Sequence, residues 1–241
     1  MDTDTGQTAK PRRRWLQFSL RTLLIVVTVL SVPLGWVGWR LGQVRREQAT
    51  ITWIEEMGGR VYYQSNYKPD DRSWWEESTD KWFGERVRLV GFHYSYSHRY
   101  FRYRQVSDLS PLVELKNLTY LDLGNTQVSG LSLLAELKNL KSITLNNTPV
   151  SDLLPLAELK SLEMLTLIDM QVSDLSLLAK LKNLERLNLS NTPVSDLSPL
   201  VELKSLKEIY LENTQVSDEQ VQELRQALPN CEIRHSTRVE K

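Results

Sequence analysis

Residues 106–127 read VSDLSPLVELKNLTYLDLGNTQ. The same 22-residue sentence recurs without a gap up to its fifth copy, VSDLSPLVELKSLKEIYLENTQ, at residues 194–215. A fixed period of this length is the mark of a solenoid, in which structural units stack one on the next. Such an object works through the surface that stacking creates, so binding is expected of it before catalysis.

When the copies are aligned, seven positions are aliphatic every time. In the first copy they are Val106, Leu109, Leu112, Leu115, Leu118, Leu121 and Leu123; in the third, Val150, Leu153, Leu156, Leu159, Leu162, Leu165 and Leu167. One unit cannot bury seven such side chains, whereas neighbours on both sides can. Leu118, Leu121 and Leu123 form the pattern LxxLxL. The last two alternate with polar residues, as a strand with one buried face does. After the strand, Asn125-Thr126 leads into the next copy, and each copy opens on Val-Ser, followed by Asp in all but the second, as in Val106-Ser107-Asp108. There Ser107 and Asp108 are placed to accept from nearby backbone N–H groups and open a short helical turn.

The phrase VSDLSPLxELKNL resembles the internalin type of leucine-rich repeat, in its 22-residue bacterial form. The resemblance implies an α/β fold: a leucine-rich-repeat solenoid with a curved parallel sheet on the concave side and short helical turns on the convex side. In this chain the solenoid is expected behind an N-terminal transmembrane helix. One departure is regular. Thr126, Thr148, Thr192 and Thr214 stand where the family has Asn, so a hydroxyl is expected to supply the turn hydrogen bonds. Met170 breaks the rule again in the third copy, either as drift or as an apolar spot on the surface.

Both ends of a solenoid need sealing. A constant step of 22 carries Leu206, Ile209 and Leu211 onto Leu228, Cys231 and Ile233, which makes LPNCEI a sixth strand. Before it, DEQVQELRQAL reads as a full helix with Val221, Leu224 and Leu228 on one face. At the other end, Val87, Val90 and Phe92 fit LxxLxL and predict a strand ahead of the first regular repeat.

Residues 22–39, TLLIVVTVLSVPLGWVGW, carry no charge, close to the roughly 20 residues that cross a bilayer. Trp15, Trp36 and Trp39 flank the run as interface aromatics do. Pro33 is tolerated in a membrane helix when a partner takes the freed carbonyl. Lys10, Arg12, Arg13, Arg14 and Arg21 precede the run and Arg40, Arg45 and Arg46 follow it. The slight excess in front orients the N-terminus toward the cytoplasm and the repeats outside. A cleaved signal peptide is the rival reading. The basic start fits it, but the run offers no A-x-A cleavage site. A buried core helix is disfavoured by the arginines at its head and the tryptophans at its ends.

Between this segment and the repeats, residues 43–57 read as a helix with Val44, Ile51, Ile54 and Met57 as its apolar stripe, ended by Gly58-Gly59. Val61-Tyr62-Tyr63 follows as a strand. The order of helix, Gly-Gly, strand and Trp-rich stretch resembles the juxtamembrane region of membrane-anchored bacterial leucine-rich-repeat proteins. Trp74 and Trp75 are expected to cover the open N-terminal edge. The organisation expected is thus a basic cytoplasmic N-terminus (1–14), a transmembrane helix (15–42), a juxtamembrane and capping region (43–105), five repeats (106–215) and a C-terminal capping repeat with its tail (216–241). Between Phe92 and Val106 lies an insertion, residues 93–104, rich in Tyr and Arg and free of acid. Tyr94, Tyr96, Arg99, Tyr100, Arg102, Tyr103 and Arg104 make it an alternative binding loop. They suit an anionic or sugar-like polymer through cation–π and stacking contacts. The plain reading is that its aromatics pack on the first coil.

Net charge is zero but unevenly placed. Residues 1–105 hold 17 Lys+Arg against 11 Asp+Glu (+6), and residues 106–241 hold 13 against 19 (−6). The basic half suits anionic headgroups; the acidic repeats are no nucleic-acid surface. Cys231 is the sole cysteine and is read as a small core residue. His93, His98 and His235 have no partners in sequence for a metal site, and no phosphate-binding, serine-hydrolase or zinc-protease motif occurs. No cofactor, no metal and no enzymatic activity are expected.

In leucine-rich repeats the concave strand face is the usual binding surface, so the resemblance directs attention to the residues flanking the strand aliphatics. Of these, Tyr120, Asp122, Met164, Thr166, Ile168, Arg186, Asn188, Glu208 and Tyr210 are the candidates. Arg186 and Tyr210 are of the types that dominate interfaces. The function expected is binding of an unidentified protein or envelope macromolecule outside the cytoplasm, with the lipid bilayer met through residues 15–39 and no nucleic acid. An envelope-polymer or glycan binder acting through the insertion, and a membrane spacer with no specific ligand, are the rivals.

Overall fold

The computed structural model describes residues 20–63, 87–92 and 106–236, apart from the side chains of Thr22 and Leu23. The chain divides into two compact units, residues 1–42 and 43–241. Helix α1 (Leu20–Glu56) begins in the first and ends in the second.

Within the first unit, α1 exposes Leu24, Ile25, Val29, Leu30, Val32 and Leu34. Pro33 sits inside the helix without ending it. The hydroxyl of Thr28 donates to Leu24 O at 2.9 Å and that of Ser31 to Thr28 O at 3.1 Å, so both polar side chains are satisfied by the helix itself. By length and composition the helix can cross a membrane; a signal sequence near the N-terminus has the same character.

In the second unit the end of α1 caps the first repeat. Ile51 and Ile54 are buried and Val44 is half-buried. The expected fourth member of the stripe, Met57, lies beyond the helix and is exposed. Its place is taken by Trp53, whose ring meets Phe92 edge-on at 5.8 Å. The chain has already left the helix at Met57: Gly59 N–H donates to Ile54 O and Gly58 N–H to Glu55 O, with Gly58 at φ 70°. This is the paired-bond terminator for which glycine is favoured. Thr50 reaches Pro111 O at 3.0 Å and Arg46 pairs with Glu114 at 2.9 Å, tying the helix to the first repeat.

Among the described residues, eight strands follow one another in a single sheet in chain order. They are β1 (Arg60–Tyr63), β2 (Val87–Gly91), β3 (Tyr120–Asp122), β4 (Ser142–Thr144), β5 (Met164–Thr166), β6 (Arg186–Asn188), β7 (Glu208–Tyr210) and β8 (Glu232–Arg234). β1 is antiparallel to β2; every later pair is parallel. Among the described residues, five 3-10 turns connect the strands: Ser110–Glu114, Ser132–Glu136, Leu154–Glu158, Ser176–Lys180 and Ser198–Glu202. All seven aliphatic positions of every repeat are buried, each worth roughly 1.5–3 kcal/mol of transfer from water.

The turns are built as the residues dictate. Asp108, Asp152, Asp174 and Asp196 each accept a backbone N–H two residues on, at 2.8–2.9 Å. The carboxylates of Asp108, Asp174 and Asp196 are held below the usual range, first by those backbone donors and then by the serine hydroxyls beside them. The second repeat has Gly130 there and no carboxylate to offer. After each strand, Thr126, Thr148, Thr192 and Thr214 donate to the carbonyl three residues back at 2.6–2.8 Å. Met170 occupies the same column and is fully buried, in contact with the Thr148 hydroxyl. It fills the core and is no apolar spot on the surface. The residue before the threonine column is always left-handed: Asn125, Asn147, Asp169, Asn191 and Asn213 lie at φ 51–59°, a region Asn and Asp enter at small cost. Asn147 donates to Asn125 and Asn213 to Asn191 across one repeat step, both at 2.8 Å.

Helix α2 (Asp218–Ala227) seals the C-terminal end. A reciprocal cap between Ser217 and Gln220 starts it, and Val221 and Leu224 are buried. The cap strand departs from the constant step. Ile209 pairs with Ile233 and not with Cys231. The full helix replaces a 3-10 turn and lengthens the path back to the sheet. Cys231 is therefore half-buried at the strand's entry instead of within the core, and burial pushes its thiol up to about 11.

Candidate functional site

Strand alternation aims every second side chain of β3–β8 away from the core, and the parallel register sets these side chains in rows. One row runs Tyr120, Ser142, Met164, Arg186, Glu208 and Glu232; the next runs Asp122, Thr144, Thr166, Asn188, Tyr210 and Arg234. The expected candidates thus fall on one sheet face, but they are not equally available. Tyr120, Met164, Thr166, Ile168, Asn188, Glu208 and Tyr210 are half-exposed and Arg186 is exposed. Asp122 is the correction. It is buried, and its carboxylate accepts the Gly124 N–H at 2.9 Å. Gly124 and Ser142 are buried too. The open part of the face therefore lies toward β5–β8.

There the large side chains are linked. The Arg186 guanidinium touches Met164 Sδ at 3.9 Å and pairs with Glu208 at 3.4 Å. The Tyr210 hydroxyl donates to the other Glu208 oxygen at 3.1 Å, which raises the phenol's pKa, with burial adding to the effect. Arg234 lies 5.0 Å over the Tyr210 ring and pairs with Glu232 at 2.7 Å. Each contact is solvent-facing and worth little to folding. Together they hold Arg186, Tyr210 and Arg234 in defined positions, which reduces the side-chain entropy a partner must immobilise.

Glu232 and Arg234 are absent from the sequence-derived candidates, although β8 itself was expected. A constant 22-residue step already turns both outward, opposite Tyr210 and Glu212; the lengthened path through α2 moves them opposite Glu208 and Tyr210 instead. At the N-terminal end, burial and the neighbouring Asp122 charge raise the Tyr120 phenol pKa. The alternative loop residues Tyr94, Tyr96, Arg99, Tyr100, Arg102, Tyr103 and Arg104, and the expected edge cover by Trp74 and Trp75, lie outside the described residues. Among the described residues no group of three or more His, Cys, Asp or Glu side chains is disposed to hold a metal. The arrangement offers fixed guanidiniums, a phenol and apolar side chains, which is the chemistry of recognition.

The repeats match known proteins. Residues 116–158, 160–202 and 182–226 match the family model described as leucine-rich repeats (2 copies). None of the curated proteins matches the chain. Among solved structures, an internalin from Listeria monocytogenes is 30% identical, with a TM-score of 0.50, over 55% of this chain and 39% of its own. Internalin C2 from the same organism is 32% identical, also at 0.50, over 54% and 57%. The chain thus spans less than two thirds of either. Sheet, turns and sequence agree that the repeats form a leucine-rich-repeat solenoid.

Proposed function

We propose that this chain binds a protein partner on the open sheet face between β5 and β8. Leucine-rich repeats in general mediate protein–protein binding, and the observation that supports this reading here is the linked chain Met164–Arg186–Glu208–Tyr210–Arg234. It concentrates interface-forming residue types on four consecutive strands, as binding hot spots do. Joint replacement of Met164, Arg186 and Tyr210 by Ala abolishes partner capture while thermal unfolding stays nearly unchanged, since none of the three belongs to the core. Loss of capture on deleting residues 94–102, with normal capture by the triple variant, moves the site to the insertion and refutes the reading.

The same proposal holds residues 20–42 to be an uncleaved membrane span with the repeats outside the cytoplasm. The uncharged run at 22–39 and the exposed apolar side chains of α1 support it. Carbonate extraction leaves the full-length protein in the membrane, and an alkaline-phosphatase fusion at the C-terminus is active. A released chain beginning near Val32 overturns this part.

A further inference from the structure

The sheet does not begin at the first repeat. β1 and β2 extend it by two strands, and their register carries the first row of the open face onward: Tyr62 pairs with Leu89, and Leu89 with Tyr120. Val90 is fully buried and its partner Val61 packs on the core, so Tyr62 and Leu89, one position away, project from the other face. Both are half-exposed and neither belongs to the core. At this end of the row Tyr62, Leu89, Tyr120 and Met164 are half-exposed and apolar or aromatic, with the buried Ser142 between the last two. The other half carries charge. On β6–β8 and the turn after β7, Glu208 and Glu232 face Arg186 and Arg234. Glu212 accepts a hydroxyl from Ser190 at 2.7 Å and meets no cation among the described residues. The charged half thus has three carboxylates against two guanidiniums.

From this polarity we infer that the face takes an extended polypeptide segment lying across the strands. Its aliphatic or aromatic residues cover Tyr62, Leu89 and Tyr120, and a Lys or Arg follows at the Glu208–Glu212 end. The inference rests on the proposed use of this face and adds the partner's chemistry and direction. The dimensions agree. Strands lie about 4.8 Å apart, so the six steps from β1 to β7 cover roughly 29 Å, the length of about nine extended residues at ~3.3 Å each. Two apolar half-exposed side chains on the capping strands are left for the apolar half of such a segment to cover. The excess carboxylate then selects a cation at the far end, where complementary charge fixes register more than it adds affinity.

The test is selection of ten-residue peptides from a random display library against the full chain in detergent micelles. The expected winners have apolar residues in one half and Lys or Arg in the other. Leu89→Ser weakens them about tenfold or more, the order expected for one well-buried apolar contact. Glu212→Gln weakens only peptides with the basic residue and flattens their salt dependence. Winners without this polarity, an absence of enrichment, or indifference to both substitutions overturns the inference. If the Met164, Arg186 and Tyr210 triple variant loses binding while Leu89→Ser does not, the proposed function stands and the extension to β1 and β2 falls. Peptide binding that appears only after deletion of residues 94–102 assigns the apolar half to the chain's own insertion, and also overturns it.

Discussion

Replacing Leu165 with Ala is the most direct test of the stacking argument. Leu165 is 1% exposed in the central repeat and lies in register between Ile143 on β4 and Leu187 on β6. The substitution removes three carbon atoms, worth about 2.4 kcal/mol of transfer at ~0.8 kcal/mol each. The space left behind cannot close readily. The neighbouring backbones are pinned by ladder bonds: Leu145 N–H to Thr166 O at 2.9 Å and Leu167 N–H to Asn188 O at 2.9 Å. A cavity term therefore adds to the transfer term and places the total at about 3–4 kcal/mol, inside the range of about 2–5 for buried leucines. For a unit of this size each kcal/mol lowers Tm by roughly 2–4 °C. Urea titration followed by far-UV circular dichroism measures the loss, with Ser161→Ala, on the half-exposed turn, as the control expected within about 0.5 kcal/mol. Because long repeat arrays can unfold in parts, coincidence of the dichroism and tryptophan-fluorescence transitions is required first. Equal losses for the two variants would show that the assigned repeat register is misplaced.

Three further outcomes follow from named contacts. Gly59→Ala puts a Cβ 2.7 Å from Ile54 Cγ2 and 2.9 Å from the Phe92 ring; calorimetry is expected to show about 1–3 kcal/mol of overpacking loss, and an unchanged melting curve contradicts the packing of α1 on β2. Asp108, Asp174 and Asp196 have lowered folded pKa values, so their stabilisation is complete above the unfolded value of about 3.9 and is lost as pH falls through the folded values. The triple Asp→Asn variant, which keeps the acceptor oxygens, is expected to lose less Tm than the parent chain between about pH 6 and pH 3; an equal or greater loss contradicts the role given to these turns. Cys231, with its thiol at about 11, reacts with a thiol reagent near pH 8 at least about tenfold more slowly than free cysteine, because the thiolate is the nucleophile; equal rates mean the strand entry is open.

The core was legible because a period repeats its instructions: Val106 to Leu123 state once what the next four copies restate, and the burial of every one follows from stacking. The misses share a cause, which is that local chain length or backbone hand changes without a change in apolar pattern. Met57 continues the 3.6-residue stripe on paper, but it stands at the helix terminus, next to left-handed Gly58, and is exposed. Cys231 fits a step of 22 until α2 takes more residues than a 3-10 turn. The left-handed Asn column could have been found, since Asn or Asp precedes the threonine position in all five copies and these residues tolerate that conformation. The burial of Asp122 could not be found from alternation, which assigns a face and not its accessibility. On the candidate site, alternation placed Arg186, Glu208 and Tyr210 on one face. It was silent on Tyr62 and Leu89, which belong to capping strands outside the repeat.

What distinguishes the sheet face from the rest of the exposed surface is internal recurrence. Ser107, Ser129, Ser151, Ser173 and Ser195 are exposed and identical in every copy, and so are Lys116, Lys138, Lys160, Lys182 and Lys204. Exposure alone therefore does not scramble this sequence from one repeat to the next. On the sheet face recurrence is low: the row Tyr120, Ser142, Met164, Arg186, Glu208 repeats no residue type, nor does the row Gly124, Asn146, Ile168, Ser190, Glu212, and the row between them repeats only Thr, at Thr144 and Thr166. A spacer gives no physical reason for its inner face to vary while the serine and lysine columns stay constant. A binding face does, because each strand meets a different part of one asymmetric partner. On the proposed reading the contact energy comes from the positions where the copies disagree, and the largest of these on the open part of the face are Met164, Arg186 and Tyr210.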